Sequence, residues 1–153
     1  MADMPKIDRA AIPFVSRTGY PPPFDAPVAG RYYQRLTRAA GLTEFGANIC
    51  RLEPGAWSSQ RHWHSKEDEF LILLDGEAVL VTDHGEETMR PGDCAAFPAG
   101  LADAHHLVNR SSADATFLVV GTNHGDDHCR YPDIDLDLPR GDGPFTDKTG
   151  KPY

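Results

Sequence analysis

The stretch GAWSSQRHWHSKEDEFLILLDG, residues 55–76, constrains this chain more than any other. Side chains alternate between the two faces of a strand, so His62 and His64 point to one side and Trp63 to the other. The polar segment SKED that follows is long enough to turn the chain back, so the next strand can bring Glu69 beside the two imidazoles. Two imidazoles and a carboxylate suit divalent zinc, iron, nickel or manganese. The stretch therefore predicts a metal site.

A second stretch, GDCAAFPAGLADAHHLVN at residues 92–109, offers a fourth ligand. A His-x-His pair alone is more often hydrogen-bonded or solvated than bound to metal, so this additional histidine strengthens the case. His105 and His106 are adjacent, and adjacent strand residues face opposite sides, so only one of them can join the site. Three imidazoles and one carboxylate would leave one or two coordination positions open to water and substrate.

Together the two stretches resemble the paired motifs of the cupin superfamily. The first motif is matched by Gly55, His62, His64, Glu69 and Gly76, and the second by Gly92, Pro98, Gly100, His105 and Asn109. The spacer after Gly55 is one residue longer than usual, and the spacer after Gly100 is two residues longer. The distance to Asn109 fits the pattern for His105 rather than His106. The resemblance implies a small, single-domain bacterial-type cupin that holds one divalent ion through His62, His64, Glu69 and His105.

The rhythm of strands and turns indicates an all-β fold. Short runs with alternating or apolar character recur at regular spacing between turn signals, and no segment has the pattern of a long amphipathic helix. This rhythm predicts an antiparallel jelly-roll barrel, the double-stranded β-helix that the resemblance also implies. Strands are predicted at Arg31–Ala39, Glu44–Leu52, Phe70–Leu74, Glu77–Thr82, Cys94–Phe97, Ala104–Asn109 and Thr116–Gly121.

The chain length fits one domain, which we divide into three segments. Residues 1–40 are rich in proline and predict an extended arm, and the resemblance implies that this arm packs along its own barrel or a partner's. Residues 41–125 form the barrel with both motifs. Residues 126–153 form a polar tail that packs on the barrel, with most of its charge in a solvated face. We expect His84, His124 and His128 to be surface residues.

Composition limits the partners that this chain can have. A net charge of -8 without a concentrated basic face disfavours nucleic acid. Three cysteines without CxxC spacing indicate buried reduced thiols rather than disulfides or a thiolate metal site. The first residues lack the apolar core of a signal peptide, and no segment reaches membrane-spanning length, so we expect a cytoplasmic protein without a membrane partner. The apolar run FLILL, Phe70–Leu74, predicts a strand covered on both faces, either by a homodimer partner or by the arm.

Three functions remain open at this point. The first is an enzyme that acts on a small oxygen-rich metabolite, either a sugar or sugar-phosphate isomerase, as in some small cupins that this chain resembles, or an iron-dependent dioxygenase. The second is a non-catalytic module that binds or senses a small molecule, and the third is a storage-like protein in which the metal only stabilises the barrel. Gln60 shares strand parity with His62 and is a candidate to contact substrate or metal-bound water. A phosphate clamp would come from the nearest basic residues in sequence, Arg61, Lys66, Arg90 and Arg110.

Overall fold

Alternating strands and tight turns dominate residues 5–153, the part of the chain that the computed structural model describes. The elements are β1 (Arg31–Arg35), α1 (Leu36–Ala39), β2 (Phe45–Leu52), β3 (Trp63–His64), β4 (Glu69–Asp75), β5 (Ala78–Thr82), β6 (Gly85–Met89), β7 (Cys94–Phe97), β8 (His106–Val108), β9 (Ala115–Thr122), β10 (Cys129–Tyr131) and β11 (Leu136–Leu138). The only α-helix among these residues is the single turn α1. The all-β class expected from the sequence is confirmed.

Two sheets enclose the main core in a jelly-roll arrangement. One sheet has the order β1-β2-β9-β4-β7 and the other has the order β6-β5-β8, with antiparallel pairing throughout. Alternate residues of the strands point inward and bury their apolar side chains between the sheets. The buried residues of this core are Cys50, Leu52, Ala56, Leu71, Leu73, Ala78, Met89, Leu107, Ala115 and Phe117. The predicted jelly-roll cupin architecture is therefore confirmed.

The C-terminal segment does more than present a solvated face. β10 pairs with both β11 and β3, which places Cys129 opposite His64 in a third sheet. A second small core forms around Cys129, Tyr131 and Leu136, against which the arm residues Tyr20 and Phe24 pack. The tail therefore joins the strand that carries a site histidine.

The N-terminal arm is shorter than the sequence suggested. β1 pairs along its whole length with β2, so the barrel begins at Arg31 and not after residue 40. The predicted strand Arg31–Ala39 ends at Arg35, because the Thr37 hydroxyl accepts a hydrogen bond from the Ala47 amide and fixes the helical turn α1. Residues 5–30 run over the barrel, while residues 1–4 of the predicted arm lie outside the described residues.

The outward face of β4 is apolar and exposed in the single chain. Phe70 is 43% exposed and Leu74 is 44% exposed, whereas Leu71 and Leu73 point into the core. Phe45, on the same outward face of β2, is 39% exposed. Burial of these apolar side chains against a second copy of the chain would be favourable. A homodimer formed through this face therefore remains a prediction. No helix within residues 5–153 combines the length and hydrophobicity needed to cross a membrane.

The turn after β4 provides a test of the fold at Gly76. Gly76 has φ +78°, and a Cβ atom added there would overlap the carbonyl oxygen of Asp114. Gly55 has φ +84°, but its Cβ would meet no atom within 4 Å. Gly55→Ala should cost only the left-handed backbone penalty, about 1–2 kcal/mol. Gly76→Ala should lower the free energy of unfolding by about 1–3 kcal/mol more, because of the added overlap. Urea denaturation measures both, and equal losses would contradict the packing described for this turn.

The exposed face of β4 provides a test of association. We expect the wild-type chain to be a dimer by light scattering after size-exclusion chromatography, and Phe70→Glu to be a monomer because the substitution puts a charge in an apolar interface. Leu101→Glu is the control, since Leu101 is 55% exposed on a loop outside this sheet face. A monomeric wild type, or a Phe70→Glu variant that stays dimeric, would show that this face is not the interface.

Candidate metal centre

Two histidines meet across an antiparallel bridge at one end of the barrel. The His62 amide donates to the His105 carbonyl (N–O 3.2 Å), and the His105 amide donates to the His62 carbonyl (N–O 2.9 Å). The two residues are therefore directly opposite each other, with ring centroids 5.0 Å apart. His64 lies two residues beyond His62 on the same side of the chain, and its ring centroid is 4.9 Å from that of His62.

All four residues that the sequence indicated as ligands are brought together around the Glu69 carboxylate. The Nε2 atoms of His62 and His64 lie 3.8 Å and 3.4 Å from Glu69 Oε2. The Nε2 atom of His105 lies 3.9 Å from Glu69 Oε1. Glu69 is the first residue of β4, so the polar loop after His64 returns the chain as the sequence predicted. Three imidazole nitrogens therefore surround the Glu69 carboxylate, and ligand atoms of His62, Glu69 and His105 lie within 4.8 Å of one another.

Each of the three histidines anchors its other ring nitrogen on an acceptor. The Nδ1 atom of His62 is 2.8 Å from the Gln60 carbonyl oxygen, that of His105 is 3.0 Å from the Asp103 carbonyl oxygen, and that of His64 is 2.7 Å from Asp127 Oδ2. Because carbonyl and carboxylate oxygens only accept, Nδ1 carries the proton in each ring. In the neutral form of each ring the Nε2 lone pair then faces the centre, which is the donor arrangement that a divalent cation requires.

His105 gives the clearest sign that the centre fits a metal. Its Nε2 atom is buried and has no hydrogen-bond partner within residues 5–153. Its ring stacks on Phe97 with centroids 3.4 Å apart, which fixes its orientation. His106 faces elsewhere, with Nδ1 2.9 Å from the Ser59 carbonyl oxygen and its ring against Trp57. The geometry therefore places His105, and not His106, at the centre.

Charges within the group are strongly coupled. Burial opposes ionisation of Glu69, but its interactions with His62 and His64 outweigh burial and hold the pKa of Glu69 well below its usual range. Burial also lowers the pKa of His64, but Glu69 and Asp127 together raise it to about 9. Burial and the charge of His62 lower the pKa of His105 to about 4. A metal must therefore displace a proton from His64, whereas His105 is already neutral at pH 7.

Asp127 is a site residue that the sequence did not reveal. It lies in the C-terminal segment, is 1% exposed, and holds His64 through Oδ2. Its Oδ1 atom accepts hydrogen bonds from the Lys66 amide (2.8 Å) and the Ser65 hydroxyl (3.3 Å). Asp127 thus fixes both the His64 ring and the loop that leads to Glu69. Its position 63 residues after His64 gave no local signal.

Cys129 lies close to the centre, although the cysteine spacing in the sequence did not indicate a thiol there. His62, His64 and Cys129 can place ligand atoms within 4.8 Å of one another. Burial raises the pKa of the Cys129 thiol well above its usual range, so the group is held as a neutral thiol. Cys50 is also a buried free thiol, but Cys94 is exposed, which corrects the expectation that all three would be buried.

Gln60 is placed differently from the prediction. Its side-chain amide donates to the Phe24 carbonyl (2.9 Å), and its backbone amide donates to the Tyr20 hydroxyl (3.2 Å). Residues 58–61 bend instead of continuing a strand, so the parity with His62 that placed Gln60 at the centre does not hold. Gln60 fixes the arm against the barrel. Asn109 stabilises the turn that follows β8 through hydrogen bonds to residues 52, 111 and 113.

A cavity of about 360 Å³ opens beside the histidines and Glu69. The barrel sheets supply most of its wall, and the arm residues Arg17, Thr18, Gly19 and Tyr20 complete it. His62, His105 and Glu69 line the same cavity. The volume suits a small metabolite. Glu67 also lines the cavity, with Oε2 3.6 Å from His64 Nδ1.

Comparison with known proteins identifies the family. The profile of the cupin domain matches residues 48–121. The crystal structure of a sugar phosphate isomerase from a cupin superfamily, from Silicibacter pomeroyi, is 47% identical, covers 97% of this chain and 96% of its own, and has a TM-score of 0.92. The chain belongs to the cupin superfamily. Its assignment from the two motifs is thereby confirmed.

Two further solved structures share less sequence with this chain. A protein from Acidithiobacillus ferrooxidans, provisionally described as a sugar phosphate isomerase, is 30% identical, with a TM-score of 0.71 over 77% of this chain and 76% of its own. A polyketide cyclase from Streptomyces resistomycificus is 23% identical, with a TM-score of 0.61 over 78% of this chain and 79% of its own, and shares the fold. The comparison with curated proteins found no match.

The ligand assignment predicts which histidine controls metal content. His64→Ala removes one of four ligand groups, and we expect metal affinity to fall by more than the roughly 10–100-fold that follows loss of an outer hydrogen-bond partner. His128→Ala is the matched control, because His128 instead contacts Asp137 through Nε2 at 2.8 Å. Elemental analysis after dialysis against a competing chelator measures both variants. Equal loss from both would show that the ligand set is wrong.

We expect Asp127→Asn to lower metal affinity although it removes no ligand. The Lys66 amide and the Ser65 hydroxyl require an acceptor, so the substituted side chain should turn its oxygen toward them and its NH₂ group toward His64 Nδ1. That arrangement favours a proton on Nε2 and blocks the lone pair. We expect affinity to fall about 10–100-fold.

Asp126→Asn is the control for this substitution, because Asp126 is exposed and pairs with Lys66 at the surface. Its metal affinity, measured by competition titration with a fluorescent chelator, should match that of the wild type. A metal affinity equal to that of the wild type in the Asp127→Asn variant would contradict the role assigned to Asp127.

Proposed function

We propose that this cupin is a metal-dependent enzyme that acts on a small oxygen-rich metabolite, as an isomerase of a sugar or sugar phosphate. The observation that carries this proposal is the unpartnered, buried Nε2 of His105, which faces Glu69 together with the Nε2 atoms of His62 and His64. Three of the four donor groups, those of His62, Glu69 and His105, line a cavity, which indicates a centre open to a ligand rather than a closed structural site. A divalent ion held there would polarise a substrate carbonyl or hydroxyl as a Lewis acid.

The chain's own residues prepare the cavity for a polar substrate. Amide and hydroxyl groups of Thr18, Asn48, Ser59 and Asn123 line the wall and can exchange hydrogen bonds with the hydroxyls of a sugar. Phe97 and the arm residue Tyr20 provide apolar surface that limits water near the histidines. Asp127 and the backbone carbonyls that hold Nδ1 keep the three rings oriented while substrate exchanges.

The named relatives favour isomerisation. The proteins from Silicibacter pomeroyi and Acidithiobacillus ferrooxidans are 47% and 30% identical to this chain; the first is described as a sugar phosphate isomerase and the second provisionally so. The iron-dependent dioxygenase and the sensing module would use the same ligand set and cavity, and residues 5–153 hold no further feature that favours either. Isomerisation is therefore the proposed reaction, and the dioxygenase and the sensing module are alternative outcomes of its test.

The test begins with protein purified without added metal. We expect one equivalent of zinc or manganese per chain, and interconversion of an aldose and its ketose, free or phosphorylated, followed by NMR without oxygen uptake. His64→Ala should lose this activity together with its metal. Iron with oxygen uptake on addition of catechols, thiols or keto acids would replace the isomerase with the dioxygenase. Tight binding of a sugar without turnover would replace it with the sensing module.

A further inference from the structure

Three arginines line the cavity, and no carboxylate neutralises them. Arg31 and Arg35 belong to β1, and Arg17 belongs to the N-terminal arm. Among residues 5–153, the ion pairs of arginine and lysine involve other residues than these three. The barrel wall therefore presents unneutralised positive charge to whatever enters beside the histidines.

The inward face of β1 sets two of these arginines in register. Arg31, Tyr33 and Arg35 alternate along the strand, so all three point to the same side. The guanidinium carbons of Arg31 and Arg35 lie 4.7 Å and 5.6 Å from the centroid of the Tyr33 ring. Contact with an aromatic face holds a guanidinium without consuming its hydrogen-bond donors. The two arginines thus form a row, with Arg31 buried and Arg35 exposed.

Arg31 is the member of this row that most requires a ligand. It is 6% exposed, and its Nη1 atom donates to the Ser58 carbonyl oxygen at 2.6 Å. Its Nε atom is buried and has no hydrogen-bond partner in the described part of the chain. A buried charge without a counter-ion is unfavourable, so a negative group supplied by the ligand would satisfy Arg31.

The basic residues nearest to the ligands in sequence do not compete for this role. Arg61 pairs with Asp83 and Asp133, and Lys66 pairs with Asp126. Arg90 and Arg110 pair with Glu77 and Glu86 on the outer surface. These four basic residues are already neutralised by the chain's own carboxylates and are absent from the cavity wall.

We propose that the cavity selects an anionic metabolite whose phosphate or carboxylate group is bound by Arg31 and Arg35. With a divalent ion held at the centre, the ion and three arginines outweigh the two cavity carboxylates, Glu67 and Glu69, so the cavity favours an anion. The planar guanidinium donates two parallel hydrogen bonds to either oxyanion. This inference rests on the proposed function, because it names the substrate class of the same site. Arg17, exposed on the arm, adds a third positive charge to the cavity wall.

The test compares three probes that share one six-carbon polyol skeleton: glucose, gluconate and glucose 6-phosphate. Calorimetric titration of the full chain as purified should show that both anions bind at least about tenfold tighter than glucose, since hydrogen bonds to charged groups contribute that much. Arg31→Gln should abolish this preference. Whichever anion binds tighter shows whether phosphate or carboxylate is the natural group.

Two further variants keep the test decisive if Arg31→Gln does not fold. Arg17 and Arg35 are exposed, so the double variant Arg17→Gln/Arg35→Gln should fold and should reduce the preference for anions severalfold. Arg38→Gln is the control, because Arg38 is exposed on α1 outside the cavity wall, and it should bind as the wild type does.

The outcomes separate this inference from the proposed function because binding requires no turnover. An anion preference that depends on the cavity arginines supports the inference even if no isomerase activity is found. Equal affinity for all three probes, no binding of either anion at millimolar concentration, or a preference that survives in the double variant would overturn it. Turnover of neutral sugars with no preference for anions would support the proposed enzyme activity but would contradict the anion-binding site.

Discussion

The proton-bearing Nδ1 atoms of three histidines are held by acceptors, and the candidate centre depends on those three hydrogen bonds. Two of the acceptors are backbone carbonyls close in sequence to their histidines, at Gln60 and Asp103. The third is the buried carboxylate of Asp127. Because each bond fixes both the rotation and the tautomer of its ring, the three Nε2 lone pairs face Glu69 together. The cavity derives its chemistry from this arrangement.

The segments before and after the barrel strands contribute directly to that cavity. The C-terminal segment provides Asp127 and pairs β10 with the strand of His64. The arm provides Arg17 and Tyr20, and Gln60 holds it in place through Phe24. A barrel without these two segments would retain its four candidate ligands but would lack one orienting carboxylate and one wall. The barrel therefore supplies the candidate ligands, and the two flanking segments orient one of them and complete the cavity wall.

Local patterns in the sequence predicted the site where local geometry decides it. Strand alternation placed His62 and His64 together, a polar turn returned Glu69, and the motif spacing distinguished His105 from His106. The same alternation misplaced Gln60, because residues 58–61 bend and break the period of two. Asp127, Cys129 and the cavity arginines could not be found in this way, since tertiary packing brings them to the centre from distant segments. The early end of β1 also depends on tertiary structure, through the bond between Thr37 and Ala47.

X-ray absorption spectroscopy of the metal in the full chain as purified identifies the atoms that hold the ion. We predict a first shell of nitrogen and oxygen only, with outer-shell scattering from three imidazole rings, as expected for His62, His64, His105 and Glu69. A sulfur scatterer at a thiolate distance of about 2.3 Å would instead place Cys129 among the ligands and contradict this ligand assignment.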